Sequence, residues 1–242
     1  MLSLIPRFRA SPFTIGLASI AALSPSSLAR STHPPAMANA TDPSAQSVHG
    51  VNPQSLIEKI MRNRVYASIF WKEQCFGLTA ETLVDKAVEL SAFGGTFGGN
   101  QQPTPFLCLL LKMLQLQPEI DVVRQFVQNE DYKYVTALGA VYLRLVGKPT
   151  EIYTMLEPLY SDYRKLRKRN VIGWEITHMD EMVDALLTEE YYIDLALPRL
   201  ADRELLEKTE GLPPRKSVLE DELDASSDSS DSDDDEEEEK AA

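Results

Sequence analysis

The sequence predicts an all-α protein: one multi-helix globular domain with at most one small hairpin, flanked by a disordered acidic C-terminal tail. Three observations carry that expectation. Residues 105–116, PFLCLLLKMLQL, are apolar on nearly every face, and a helix without a polar side must be buried by other elements. Around this stretch, apolar residues recur at helical spacing between cap and stop signals. The breaks are short, and no self-similarity with a period of about 20 to 50 residues marks a solenoid.

Taken in order, residues 1–36 hold arginines and no acid, and Phe13 to Leu23 is apolar, so the literal reading is a transit peptide or weak signal segment. From Met37 the chain reads as a protein with its own polar lead-in. An upstream start or a gene-model boundary is therefore the preferred reading, and residues 1–36 are set aside as a doubtful extension. A flexible lead-in is expected over 37–50, a helical domain over 51–208 and the disordered tail over 209–242. Asn52 can cap a helix with Pro53 at its first position and Leu56, Ile57, Ile60 and Met61 on its apolar face. Tyr66, Phe70, Trp71 and Phe76 are expected to fill core, and Thr79 to open a helix bearing Leu83, Val84, Ala87 and Val88.

Thr104 suits the N-cap of the central helix, because its hydroxyl can accept an orphan N–H, and Pro105 suits the first position, having no N–H to satisfy. Lys112 is its single charge. At about 1.5 Å per residue the helix reaches about 18 Å, short of the roughly 20 apolar residues a bilayer needs. Pro118 then starts a helix with Ile120, Val123 and Val127. Asp131 is the expected cap of a stripe running Tyr134, Val135, Leu138, Val141, Tyr142 and Leu145, stopped by Gly147 and Pro149. Pro149 and Pro158 can each begin a helix, the second carrying Leu159, Tyr160, Tyr163 and Leu166. Asn170 to Ile176 is the one candidate hairpin. Thr177 with Asp180 resembles a capping box ahead of Met179, Met182, Val183, Leu186 and Leu187, and Tyr191 to Leu200 reads as a last short helical region.

The 242 residues carry a net charge of −13, and that charge is uneven. Thirteen acids and one lysine fall in residues 217–242, leaving the folded part close to neutral. Dense like charge with little hydrophobicity cannot offset the entropy of folding, so the tail is expected to be disordered. Cys75 and Cys108 are the only cysteines. They make no disulfide framework, and a reducing compartment is the default.

Chemistry is mostly excluded. GGTFGGN at residues 94–100 lacks both the dinucleotide-binding spacing and the Gly-Lys-Ser/Thr end of a P-loop, so it reads as a tight loop using glycine's freedom. His33, His49 and His178 are the only histidines, and no Cys or His pair has zinc spacing. There is no nucleophile elbow. Catalytic, metal-binding and cofactor-binding residues are therefore all expected to be absent. One surface feature remains: Arg164, Lys165, Arg167, Lys168 and Arg169 lie together beside Tyr163 and Trp174. Such a mixture can contact phosphate and stack on bases. The plainer reading is a basic helix end complementing its dipole, and a third is a dock for the chain's own acidic tail or an acidic partner. In the tail, Ser230 and Ser232 have Asp233 and Asp235 three residues downstream, a spacing suited to acid-directed kinases, and are candidate phosphorylation sites.

Several long runs match a known family: HGVNPQSLIEKIMRNRVYASIFWKEQCFGLTAETLVDKAVEL, FGGNQQPTPFLCLLLKMLQLQPE, NEDYKYVTALGAVYLRL and LEPLYSDYRKLR. Over about residues 37–200 the chain resembles the pre-mRNA-splicing factor 38 family, the form that joins the tri-snRNP and precatalytic spliceosome. The resemblance implies a non-catalytic nuclear scaffold, required for pre-mRNA splicing and supporting spliceosome activation. It would bind helical segments of other splicing proteins within spliceosomal ribonucleoprotein, with no cofactor, membrane or small-molecule substrate. An RNA-binding module using residues 164–170 is the alternative. The chain departs from animal members in having no arginine-serine repeat after its acidic run, so roles resting on such a tail are not implied.

Overall fold

The structure is a computed structural model that describes residues 39–215; the expectations for residues 1–36 and for the acidic tail, Ser230 and Ser232 included, lie outside it. Helices carry the core, but seven short strands in three small sheets are interleaved with them among the described residues. The domain is mixed α/β, which corrects the all-α expectation.

Asn52 caps as expected, its Oδ1 accepting from the Gln54 amide at 3.0 Å, but it opens only a 3-10 turn, Pro53–Leu56. Ile57 is extended, and the helix proper, α1, is Lys59–Ala67. A π-helical turn, Trp71–Cys75, follows. Helix α2, Ala80–Val88, begins with a reciprocal cap in which Thr79 and Thr82 each bind the other's amide. Strand β1 is Phe93–Gly94, and β2, Thr96–Phe97, pairs antiparallel with β3, Gln102–Pro103, so the glycine loop is a tight hairpin.

Helix α3 is Pro105–Leu116, and the expected cap is present: Thr104 Oγ1 accepts from the Leu107 amide at 3.2 Å. The same hydroxyl donates to the Gly94 carbonyl at 2.6 Å, tying β1 to the start of the helix. Every residue from Phe106 to Gln115 is buried. At about 1.5–3 kcal/mol for each fully buried Leu or Phe, this one helix supplies a large share of the hydrophobic stabilisation. Lys112 is buried with the rest, its Nζ donating to Gln115 Oε1 at 3.1 Å and lying 5.9 Å from the Trp71 ring centre. Burial holds its pKa below the usual lysine value. Beyond α3, the Asp42 amide donates to the Gln115 carbonyl and the Gln46 amide to Gln117 Oε1, so residues 39–46 lie against the end of this helix.

Helices α4 (Ile120–Val127), α5 (Lys133–Val146) and α6 (Pro149–Leu156) follow. The start of α5 is set by Asn129, not by Asp131: Asn129 Oδ1 accepts from the Tyr132 amide at 2.6 Å. Arg144 Nε in turn donates to the Leu186 carbonyl at 2.7 Å, joining α5 to the helix after the main sheet. The helix expected from Pro158 is only a 3-10 turn, Glu157–Ser161. The chain then extends into β4, Lys165–Arg169, turns, and returns as β5, Trp174–His178. Helix α7, Met179–Thr188, begins one residue off the expected box, with Glu181 accepting from the His178 amide. Tyr191 to Leu200 is not helical: β6, Tyr191–Tyr192, and β7, Leu195–Ala196, form a hairpin whose turn residues Ile193 and Asp194 are both left-handed. Helix α8, Arg203–Thr209, ends the described elements.

Candidate docking surface

The basic segment is a strand, not a helix end. β4 is the centre of the three-stranded sheet, with β1 parallel on one side and β5 antiparallel on the other. Because side chains alternate along a strand, KLRKR divides into two groups. Leu166 faces inward and is fully buried, opposite the buried Thr177. Lys168 shares that side, its Nζ 5.1 Å from the Tyr192 ring centre and 4.0 Å from Glu175. Lys165, Arg167 and Arg169 point the other way, across from His178, Ile176 and Trp174.

Close backbone packing holds this sheet in place. Gly94 has φ +150° and pairs with Arg169; a Cβ there would lie 2.4 Å from the Arg169 carbonyl oxygen, so glycine is what lets β1 lie against β4. A Cβ on Gly95 would meet the Asp194 carboxylate at 2.4 Å. That carboxylate accepts from the Thr96 amide at 2.8 Å and hydroxyl at 2.7 Å, fastening the β6–β7 turn to β2.

On the outward face the Arg167 and Arg169 guanidinium carbons each lie 4.5 Å from the Trp174 ring centre, and Arg169 is also 5.3 Å from that of Phe97. Trp174 and Ile176 are exposed, and Ile172 at the hairpin tip is fully so. None of Lys165, Arg167 and Arg169 has an acidic partner within 4.0 Å among the described residues. A stacked guanidinium keeps its edge N–H donors available for carboxylate or phosphate. Beside this ladder a groove of about 340 Å³ is lined by Phe70, Leu90, Phe97, Pro105, Arg169 and Trp174. The arrangement can seat an anionic segment along the arginines with an apolar side chain in the groove.

Of the residues singled out in sequence, Lys165, Arg167, Arg169 and Trp174 come together on this face, while Lys168 lies on the other side. Arg164 is structural. Its guanidinium binds Asp162 and donates to the Asn129 and Glu130 carbonyls. Burial pushes the Asp162 carboxyl up, but hydrogen bonds and charge from Arg164 outweigh it and hold it below the usual carboxylate range. Sequence reasoning missed Phe97 and Ile176; Ile176 alternates with Trp174, a period-2 signal on which it could have been found.

Elsewhere the chemistry is quiet. Burial pushes the Cys75 and Cys108 thiols up to about 12, where thiolate is scarce at neutral pH. Among the described residues no group of three or more His, Cys, Asp or Glu could hold a metal ion, and no helix is long and apolar enough to cross a membrane.

The sequence profile of the PRP38 family matches residues 46–210. The chain belongs to the PRP38 family. Pre-mRNA-splicing factor 38 of Arabidopsis thaliana is 59% identical over 189 residues, covering 78% of this chain and 53% of the relative. Pre-mRNA-splicing factor 38A of Homo sapiens is 56% identical over the same length, covering 78% of this chain and 61% of the relative. This chain thus spans a little over half the length of these PRP38-family relatives. It is also similar to a chain in the crystal structure of the Snu23-Prp38-MFAP1(217-258) complex of Chaetomium thermophilum, with 40% sequence identity and a TM-score of 0.70, over 76% of this chain and 98% of that one.

Proposed function

We propose that this chain is a non-catalytic scaffold of the nuclear spliceosome, joining the tri-snRNP and precatalytic particle through protein–protein contacts that support activation. The similarity to pre-mRNA-splicing factors 38 and 38A, together with that to a chain from the Snu23-Prp38-MFAP1 complex, carries this reading, since nearly the whole of that chain is matched.

Partners are other spliceosomal proteins, met partly through helical segments, and the outward face of Arg167, Arg169 and Trp174 receives an acidic segment of one of them. Protein is favoured over RNA there because both arginines already lie against Trp174, leaving less of the ring for a base, and because a chain of net charge −13 repels phosphate elsewhere. Affinity purification from nuclear extract followed by mass spectrometry tests the reading: a set of precatalytic spliceosomal proteins is expected, and recovery of none of them would end it. Tight binding of bare single-stranded RNA, falling by about one power of salt concentration per phosphate contact, would move the function to an RNA-binding module. For the candidate sites Ser230 and Ser232, phosphopeptide mapping of the protein from cells should find phosphate on at least one.

A further inference from the structure

We propose that the acidic run of the same chain, residues 228–239, occupies the outward face of β4 and β5 and competes there with acidic partners. The proposal rests on the reading of that face as a dock for acidic segments, and goes on to name a resident occupant. Charge complementarity is the first argument. The face presents Lys165, Arg167 and Arg169 without an acidic partner among the described residues, while residues 228–239 hold nine carboxylates and no cation. Stacking on Trp174 fixes the two guanidinium groups in advance, which reduces the side-chain entropy lost when a carboxylate arrives.

Reach is the second argument. The described chain ends at Arg215, whose guanidinium lies 4.5 Å from the Tyr160 ring centre. Tyr160 precedes Arg169 by nine residues, so even a fully extended chain separates their Cα atoms by no more than about 32 Å. Asp233 is eighteen residues beyond Arg215, a reach of about 60 Å, which leaves length to spare for the side chains. A tether of this kind supplies an effective concentration of about 1 mM, enough to hold a weak ionic contact closed and still release it to a stronger partner.

The experiment uses the full-length protein and one in which every Asp and Glu of residues 228–239 is replaced by Asn or Gln. The readout is the Trp174 indole N–H resonance, assigned with Trp174→Phe. In low salt the resonance should differ between the two proteins, and the difference should vanish at about 0.5 M salt, where the screening length is only a few ångströms. A synthetic peptide of residues 224–240 should bind the neutralised protein about ten-fold more tightly than the full-length one, and Arg167→Glu with Arg169→Glu should abolish that binding. Lys59→Glu with Arg64→Glu on α1 is the control that should leave it unchanged.

An unmoved indole with intact peptide binding would overturn the intramolecular contact while leaving the acidic dock standing. Failure of the peptide to bind at all would overturn both. Loss of binding in the α1 variant alone would place the contact elsewhere, and preference of the neutralised protein for oligouridine over the peptide would make the face an RNA site.

Discussion

Helix α3 and strand β4 are opposites in composition, and each is explained by its one exception. The helix is uncharged except for Lys112, and the strand KLRKR is cationic except for Leu166. Lys112 is drawn into the core with its neighbours and satisfied locally by Gln115 and the Trp71 ring. Leu166 is fully buried and holds an otherwise solvated strand against the core. The pattern of a segment thus decides where it goes, while the exception decides how firmly it is held. A twelve-residue helix with no polar face has only one destination, whereas a five-residue strand takes its state from the strands on either side.

The sharpest break of this comparison is Leu110→Asp. It places an unpaired charge at the centre of the hub, at a cost above about 5 kcal/mol, comparable with the whole stability of a domain. The protein should unfold or aggregate. A soluble variant with unchanged circular dichroism and melting temperature would show that α3 is not the hub. Leu166→Ala comes next, at about 3 kcal/mol for a buried leucine truncated to alanine, read from denaturant unfolding. Loss of much less than 1 kcal/mol would mean that β1 and β5, and not the buried side chain, hold β4 in place.

The same contrast explains what could be read in advance. The cap at Thr104, the helix start at Thr79 and the stripe from Tyr134 to Leu145 were legible because a helix writes its caps and its periodicity into its own sequence. β4 was not, since Lys, Leu and Arg are good helix formers and the strand state comes from pairing with β5 and β1. The β6–β7 hairpin was hidden for another reason. Its turn uses Ile193, a β-branched residue at φ 47°, which no turn rule selects; its neighbour Asp194 is held from outside by Thr96. The cationic face was half legible: the residues were named, but only the strand separates Lys168 from Arg167 and Arg169 and withdraws Arg164 into a structural contact.

Lys112 sharpens the helix side of the comparison through pH. Its folded pKa lies below its unfolded value because burial disfavours the ammonium. Between the two values the unfolded chain binds more protons, so this group makes stability rise with pH, and its penalty is full below the folded pKa. Lys112→Met keeps most of the apolar stem and removes the charge. At pH 7 it should melt about 2–4 °C higher, the shift expected for about 1 kcal/mol in a domain of this size. The gap should narrow as pH rises toward 10. A gap that stays constant or widens with pH would show that Lys112 is not penalised by burial.

The smallest effect on stability is expected on the strand, and there the two faces of β4 separate. Arg167→Glu with Arg169→Glu removes two guanidinium groups that have no acidic partner among the described residues but lie against Trp174 and Phe97, so stability should fall by no more than about 1 kcal/mol. Binding of an acidic peptide should nevertheless be lost, because both stacked guanidinium groups are replaced by like charge. Lys168→Glu should spare binding. It sets a second carboxylate beside Glu175 and takes the ammonium off the Tyr192 ring, so it should destabilise by about 1 kcal/mol while leaving peptide affinity within about two-fold. Thermal melts and peptide titrations on the same three proteins decide the matter. If Lys168→Glu abolished binding as completely as the double arginine variant, the partner would be reading the total charge of the segment, and the alternation of the strand would have no part in recognition.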